Sequence, residues 1–164
     1  MAASDQHRPA ITLSLVDRLL DQEPDSQVDV PVSSWEQFRE YKAALCRDLS
    51  ALLNTRRAEK DFDPLYEEST NSLLSFGITD FTSYNLKSSD EQEQVRRSME
   101  RAIRLFEPRL ARVSVSVEET DQVRPVLQFN IDAVLRIGER EEPLMLDVSL
   151  QRDSRRIAVT GGGA

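Results

Sequence analysis

From residue 113 onward, apolar and polar positions alternate one for one. Val113, Val115 and Val117 are separated by Ser114 and Ser116. Leu127, Phe129, Ile131, Ala133, Leu135 and Ile137 are interleaved with Gln128, Asn130, Asp132 and Arg136. Successive side chains on a strand point to opposite faces, so this period of two predicts strands with one buried and one wet face. Residues 138–143 (Gly-Glu-Arg-Glu-Glu-Pro) predict a turn. Leu144, Leu146, Val148 and Leu150 predict a third strand, and Ile157 and Val159 a short fourth one before a flexible glycine-rich end.

Upstream of residue 107 the period is helical. Leu15, Val16, Leu19 and Leu20 predict a short amphipathic helix with Ser14 as its cap, ended by Pro24 and followed by a connector at 25–34. Ser33 and Glu36 have the spacing of a capping box, in which each side chain satisfies an N–H left free at a helix start. They open a helix over Ser34–Asn54, with Trp35, Phe38, Leu45, Leu49, Leu52 and Leu53 on one face and Cys46 at its border. A third helix is predicted over 64–76, with Gly77 as the residue past its end and Ile78 folding back onto it. Phe81, Tyr84 and Leu86 are available to tether the loop that follows. The fourth helix is predicted over 89–106. Val95, Met99, Ala102, Ile103 and Phe106 line one side, and Glu93–Arg97 and Glu100–Arg104 make favourable pairs on the wet side. Helices first and antiparallel strands second predict an α+β domain, its N-terminal helices packed on one face of a mostly antiparallel C-terminal sheet. The boundaries read are a tail, short helix and connector over 1–32, one domain over 33–160, and a tail over 161–164.

Composition narrows the chemistry. The chain has 164 residues and a net charge of −8, which argues against a nucleic-acid phosphate track as partner. No apolar run approaches the ~20 residues of a membrane helix, and the first ten residues lack the apolar stretch of a secretory signal. With Cys46 as the single cysteine there is no internal disulfide, and a reduced, cytosolic protein is expected. Cys46 beside a leucine stripe reads as a packed residue rather than a reactive one. The cations are 18 Arg and three Lys. Arginine is favoured at protein interfaces, although nucleotide bias in the genome explains the same excess. His7, the only histidine, lies in the N-terminal tail, so neither a nucleophile–histidine arrangement nor a Cys/His metal cluster is available. The Gly161–Gly163 run precedes no helix and is no phosphate loop, so no cofactor is expected.

One position resists the pattern. Glu107, Pro108 and Arg109 stand where the period changes from 3.6 to two. Proline disfavours helical geometry at the residue before it, so it stops the helix where the strand must begin. Glu107 gains nothing at the negative end of a helix dipole, whereas Arg109 is well placed. If the chain is extended from 107, both charges take the parity of the apolar face. That requires a partner or a bulge that turns them outward. The plain alternative is an exposed ion pair worth about 0–1 kcal/mol.

The stretches "SLVDRLL", "YKAALCRDLSALLNTRR", "SLLSFGITDFTS", "FEPRL" and "LQFNIDAVLRI", in this order, resemble the TssE family of baseplate wedge subunits of bacterial type VI secretion systems. That family is similar to the small wedge protein of contractile phage tails. The resemblance implies a fold like the attachment domain of the contractile sheath, and a cytoplasmic place at the inner-membrane-associated baseplate. It also implies that Glu107, Pro108 and Arg109 dock on the core bundle of the other wedge proteins. Sheath subunits would assemble on an edge strand at Arg156, Ile157, Ala158, Val159 and Thr160, although an ordinary sheet edge is the plain reading of that segment. No direct membrane insertion is implied. Truncating Glu107 or Arg109 is expected to leave the subunit folded and abolish docking. The alternative of another class is a peptidoglycan-cleaving, lysozyme-like enzyme with Glu107 as its acid, for which the sequence offers no supporting constellation.

Overall fold

The computed structural model describes residue 19 and residues 34–57, 67–118, 126–151 and 153–162. Leu19 is helical and exposed. The rest of the predicted N-terminal helix, the connector, Ser33 and Pro64 lie outside the described residues. Helix α1 (Ser34–Asn54) is followed by a single turn α2 (Glu67–Thr70), a 3₁₀ turn (Leu73–Ser75) and helix α3 (Ser89–Phe106). Strands β1 (Leu110–Val117), β2 (Val126–Ile137), β3 (Arg140–Gln151) and β4 (Ile157–Gly161) then form one antiparallel sheet in sequential order. The α+β expectation holds, with the helices N-terminal to the sheet.

The alternation read from the sequence becomes the core. Leu127, Phe129, Ile131, Leu135, Leu146, Val148 and Leu150 are essentially inaccessible, as are Leu45, Leu49 and Leu53 of α1 and Met99 and Ile103 of α3. Each such side chain contributes roughly 1.5–3 kcal/mol by leaving water. The opposite face of the sheet carries Ser114, Asp132, Asp147 and Thr160 and is open.

Four local expectations are corrected. Trp35 is 65% exposed and takes no part in the stripe of α1; Tyr41, omitted from that stripe, is buried in its place. The helix expected over 64–76 is broken in two. Ser72 Oγ donates to the Ser69 carbonyl at 2.7 Å and accepts the Leu74 N–H, so a side chain competes with the helical ladder. Leu73 and Leu74 consequently face solvent. Ile78 is buried, but its N–H donates to Thr55 at the end of α1, and Arg57 donates to the Ile78 carbonyl, both at 2.9 Å. The segment after Gly77 is thus tied to α1 rather than folded back on its own helix. Finally, the turn at 138–143 shrinks to Gly138 and Glu139, because Ile137 already pairs with Arg140 and Gly138 supplies a φ of 59°. Pro143 therefore lies within β3. It shares parity with Met145, whose carbonyl accepts from Gly162 on the β4 side, so its missing N–H points beyond the end of β4 and breaks no pairing with β2.

The helices also close the first edge of the sheet. Arg104 Nη2 donates to the Val113 carbonyl at 2.7 Å and Arg96 Nη1 to the Val115 carbonyl at 2.9 Å, while Glu100 accepts the Val115 N–H at 3.3 Å. Glu100 in turn binds Arg96 and Arg104, each at 2.6 Å. Of the Glu100–Arg104 pair expected on the wet side, Glu100 is thus largely withdrawn against β1 while Arg104 stays exposed. Glu93 accepts from both Arg96 and Arg97, and these hydrogen bonds hold its carboxyl at about 2, below the ordinary 4.5.

Two outcomes follow from this packing. A Cβ at Gly77, where φ is +100°, would lie 2.4 Å from the Thr55 carbonyl oxygen. Gly77→Ala is expected to lower stability by about 2–4 kcal/mol in chemical denaturation, left-handed strain and backbone displacement together. Because the folded carboxyl of Glu93 titrates below the unfolded one, its contribution is present above pH 4.5 and lost as pH falls towards 2. Glu93→Gln is expected to lower the melting temperature at neutral pH, less so at high salt, and to leave it unchanged at the acid end of that window.

Candidate functional site

The Glu-Pro-Arg triplet forms a turn rather than the start of a strand. The Leu110 N–H donates to the Glu107 carbonyl at 3.1 Å, and Pro108, whose ring pre-sets the required φ, occupies the second position of that turn. Glu107 N–H still bonds Ile103 at 2.9 Å, so the turn begins on the last residue served by α3. A bulge follows: Ala111 pairs with Val134 but Ser114 with Asp132, and Arg112 absorbs the extra residue at a φ of 51°. The bulge resets the parity of β1. Leu110, not Arg109, therefore faces the core ahead of Val113 and Val115.

Glu107 does not turn outward. It is 5% exposed, and both of its oxygens are taken by Arg109: Nε donates to Oε1 at 2.7 Å and Nη2 to Oε2 at 2.5 Å. The Arg109 N–H adds a third bond to Oε1 at 3.2 Å. Nη2 also donates to Asp48 of α1 at 2.8 Å, and the guanidinium carbon lies 5.8 Å from the centre of the Tyr41 ring. One arginine thus joins the end of α3, the start of β1 and the middle of α1. The Glu107 hydrogen bonds, with help from Asp48, push the Arg109 pKa above its ordinary range against the opposing effect of burial. Burial pushes the Tyr41 phenol up, partly offset by Arg109. Burial likewise raises the Cys46 thiol, which disfavours the reactive thiolate.

A depression of about 370 Å³ lies over this turn. Tyr41, Leu52, Phe76 and Phe106 line it together with the triplet and Asp48, and the Phe76 and Phe106 rings meet edge-on at 5.2 Å. Pro108 is exposed. Arg109 Nη1 is buried with no hydrogen-bond acceptor among the described residues. Since both Glu107 oxygens are committed to a guanidinium, neither is free to pass a proton to a leaving group, and the geometry gives the lysozyme-like alternative no support.

The second candidate segment lies at the other side of the sheet. Arg156 precedes β4, and its carbonyl accepts from Gln151 at 3.0 Å; Ile157, Ala158, Val159 and Thr160 are in β4, which pairs with β3 alone. Ile157 and Val159 are buried on the helix side, whereas Arg156, Ala158 and Thr160 are exposed. Asn54, the last residue of α1, donates to the Ile157 carbonyl at 2.7 Å and accepts the Ile157 N–H at 3.0 Å, and Ser50 accepts the Val159 N–H at 3.3 Å. The two candidate sites are therefore separate, and α1 touches both.

Sequence reasoning missed Tyr41, Asp48, Ser50 and Asn54. Tyr41 stands three residues after Phe38 and four before Leu45, a spacing that marks the buried stripe. Asp48, an acid enclosed by Leu45, Leu49 and Leu52, carried a weaker signal. Nothing local marks Ser50 or Asn54.

A family model described as baseplate wedge protein gp25 matches residues 39–140, more than half of the chain. No curated protein matches it.

The burial of Glu107 corrects the expectation that truncating either charge leaves the fold intact. Arg109→Ala strands a buried carboxylate and is expected to cost about 3–5 kcal/mol in urea denaturation. Glu107→Leu combined with Arg109→Met, which removes both charges while keeping the volume, is expected to recover most of that loss.

Proposed function

The chain belongs to the gp25 family of baseplate wedge proteins, a structural role in contact with other baseplate components, and from that premise we propose that it is the wedge subunit of a type VI secretion baseplate. The ordered stretches that resemble the TssE family support the narrower assignment, as does the intact Glu107-Pro108-Arg109 triplet. No described helix is long and apolar enough to cross a membrane. On this reading the subunit works in the cytoplasm, at the inner-membrane-associated baseplate.

The triplet docks the subunit on the core bundle of the other wedge proteins, with a division of labour. Glu107 is committed inside the subunit and serves to aim Arg109. Pro108 and the guanidinium present themselves at the rim of the depression. The observation that carries this reading is an exposed proline at the rim of an open, apolar-floored hollow whose wall includes the Arg109 clasp. The partner's apolar residues fill the hollow and its polar groups meet the exposed turn. At the far side of the sheet, β4 offers its edge to the first sheath subunits by strand addition. The acidic surface, at a net charge of −8, suits partners with basic patches rather than nucleic acid.

Because Arg109 variants weaken the fold, Pro108 is the cleaner probe. Pro108→Asp places a charge at an exposed turn position and is expected to leave the melting temperature nearly unchanged. Co-purification with the other wedge proteins is expected to fall at least tenfold, the loss typical of like charges set opposite a docked acid. Undiminished complex formation by this variant would reject docking through the triplet.

A further inference from the structure

Residues of β4 alternate in the direction of their backbone groups as well as of their side chains. Arg156 accepts from Gln151 and Gly162 donates to Met145, so even-numbered residues bond to β3. The N–H and C=O of Ile157, Val159 and Gly161 consequently point away from the sheet. On an open edge those groups are the template on which another chain adds a strand. Here the first three are occupied. The Asn54 carboxamide has the donor and acceptor of a peptide unit, and it bonds the C=O and N–H of Ile157 as a neighbouring strand would. Ser50 takes the N–H of Val159. Past that point the edge is bare among the described residues: the Val159 carbonyl and Gly161 have no cap, and a Cβ built on Gly161 meets nothing within 4 Å.

The opposite edge is closed by different means. On β1 the capping side chains are Arg96, Glu100 and Arg104, held to one another by ion pairs at 2.6 Å. Charge-assisted bonds of this kind are roughly twice as strong as neutral ones, and each removed member strands a charge. Within β4 the caps are two small neutral side chains at the end of one helix, Asn54 being joined also to the Ser50 carbonyl at 2.7 Å; the charged contact on this side, Arg56 Nη2 to the Arg155 carbonyl at 3.1 Å, lies before the strand begins. One edge is sealed and the other is only covered.

We propose that Asn54 and Ser50 form a latch on β4: an imitation of one strand residue that keeps the edge closed in the free subunit and is displaced when a real strand arrives. The incoming strand starts at the uncapped Val159 carbonyl and Gly161, then zips towards Ile157 as its own N–H and C=O replace those of the two side chains. The exchange is nearly neutral in hydrogen bonds, so the gain comes from the added residues of pairing beyond Val159. The latch keeps an exposed strand from pairing with another copy of the chain before its partner is present. This inference rests on the reading that β4 receives a strand of the contractile sheath.

The test uses the full chain, the purified sheath subunit and three variants: Asn54→Ala, Asn54→Asp and Val159→Pro. In the free protein, residue-resolved amide exchange is expected to accelerate at least tenfold at Ile157 in Asn54→Ala while Ala158 and Thr160, bonded to β3, stay protected. Asn54→Asp, which still accepts the Ile157 N–H but donates nothing to its carbonyl, is expected to keep Ile157 protected. Sheath affinity is expected to rise at least threefold in Asn54→Ala. It is expected to vanish in Val159→Pro, whose ring blocks the outward edge without removing a bond to β3. Unchanged exchange at Ile157 in Asn54→Ala overturns the latch, as does an unchanged or weakened sheath affinity in that variant while Val159→Pro still abolishes binding. Sheath binding that survives Val159→Pro, or binding absent from the wild type and Asn54→Ala alike, overturns the strand-edge reading itself.

Discussion

The bidentate bond between Arg109 and Glu107 sets the geometry on which the two layers depend. Helix α3 ends at Phe106 and β1 begins at Leu110, so the chain must reverse from one layer into the other in the space of a turn. A carboxylate at the helix C-terminus is unfavourable by itself, and burying it compounds the cost. The guanidinium two residues further along the chain removes that cost by supplying both oxygens with donors, and its remaining reach captures Asp48 of α1. The clasp therefore does for the helix–sheet joint what a single hydrogen bond could not: it fixes the angle at which α3, β1 and α1 meet. The apolar core then fills a space whose walls are already set. The same turn leaves Pro108 exposed at its tip, so the clasp and the exposed proline arise from one triplet.

The helices have a second task. A four-stranded open sheet has two edges, and each is a hazard for unwanted pairing. Long arginines and Glu100 on α3 reach over the flank of β1, while the end of α1 reaches β4. The polar faces of these helices are thus not merely solvated. Pairs such as Glu100 with Arg96 and Arg104, whose sequence spacing suggests a surface ladder, hold side chains straight enough to cap a strand. The two caps differ in chemistry, charged and mutually locked on the β1 side, neutral and small on the β4 side.

For a subunit of a layered machine, this economy is consistent with its size. A single helix, α1, contributes the core stripe, the anchor Asp48 for the clasp and the caps Ser50 and Asn54 for the outer strand. Any partner that shifts α1 acts at both candidate surfaces, which lie at opposite sides of the sheet.

Much of this was legible in the sequence. Element type, the bounds of α1 and α3, the strand alternation and the anomaly of a charged pair at a change of period all follow from local spacing, because side-chain direction in a helix or strand depends on neighbours only a few residues away. What local spacing could not supply was which exposed-looking position lies beneath another layer. The turn at 107–110 takes Glu107 out of the extended run on which its parity was counted, so the carboxylate is buried although a bulge does follow at Arg112, and the Ser72 side chain divides a helix that its apolar residues favoured. Trp35 is left in solvent, with Arg39 of its own helix over its ring at 5.2 Å. Asn54 and Ile157, 103 residues apart, meet because of how the helix lies across the sheet. Periodicity is a property of the chain and its solvent; the pairing of distant polar groups is a property of the packed layers, since only their stacking decides which backbone groups lose water and must find another partner.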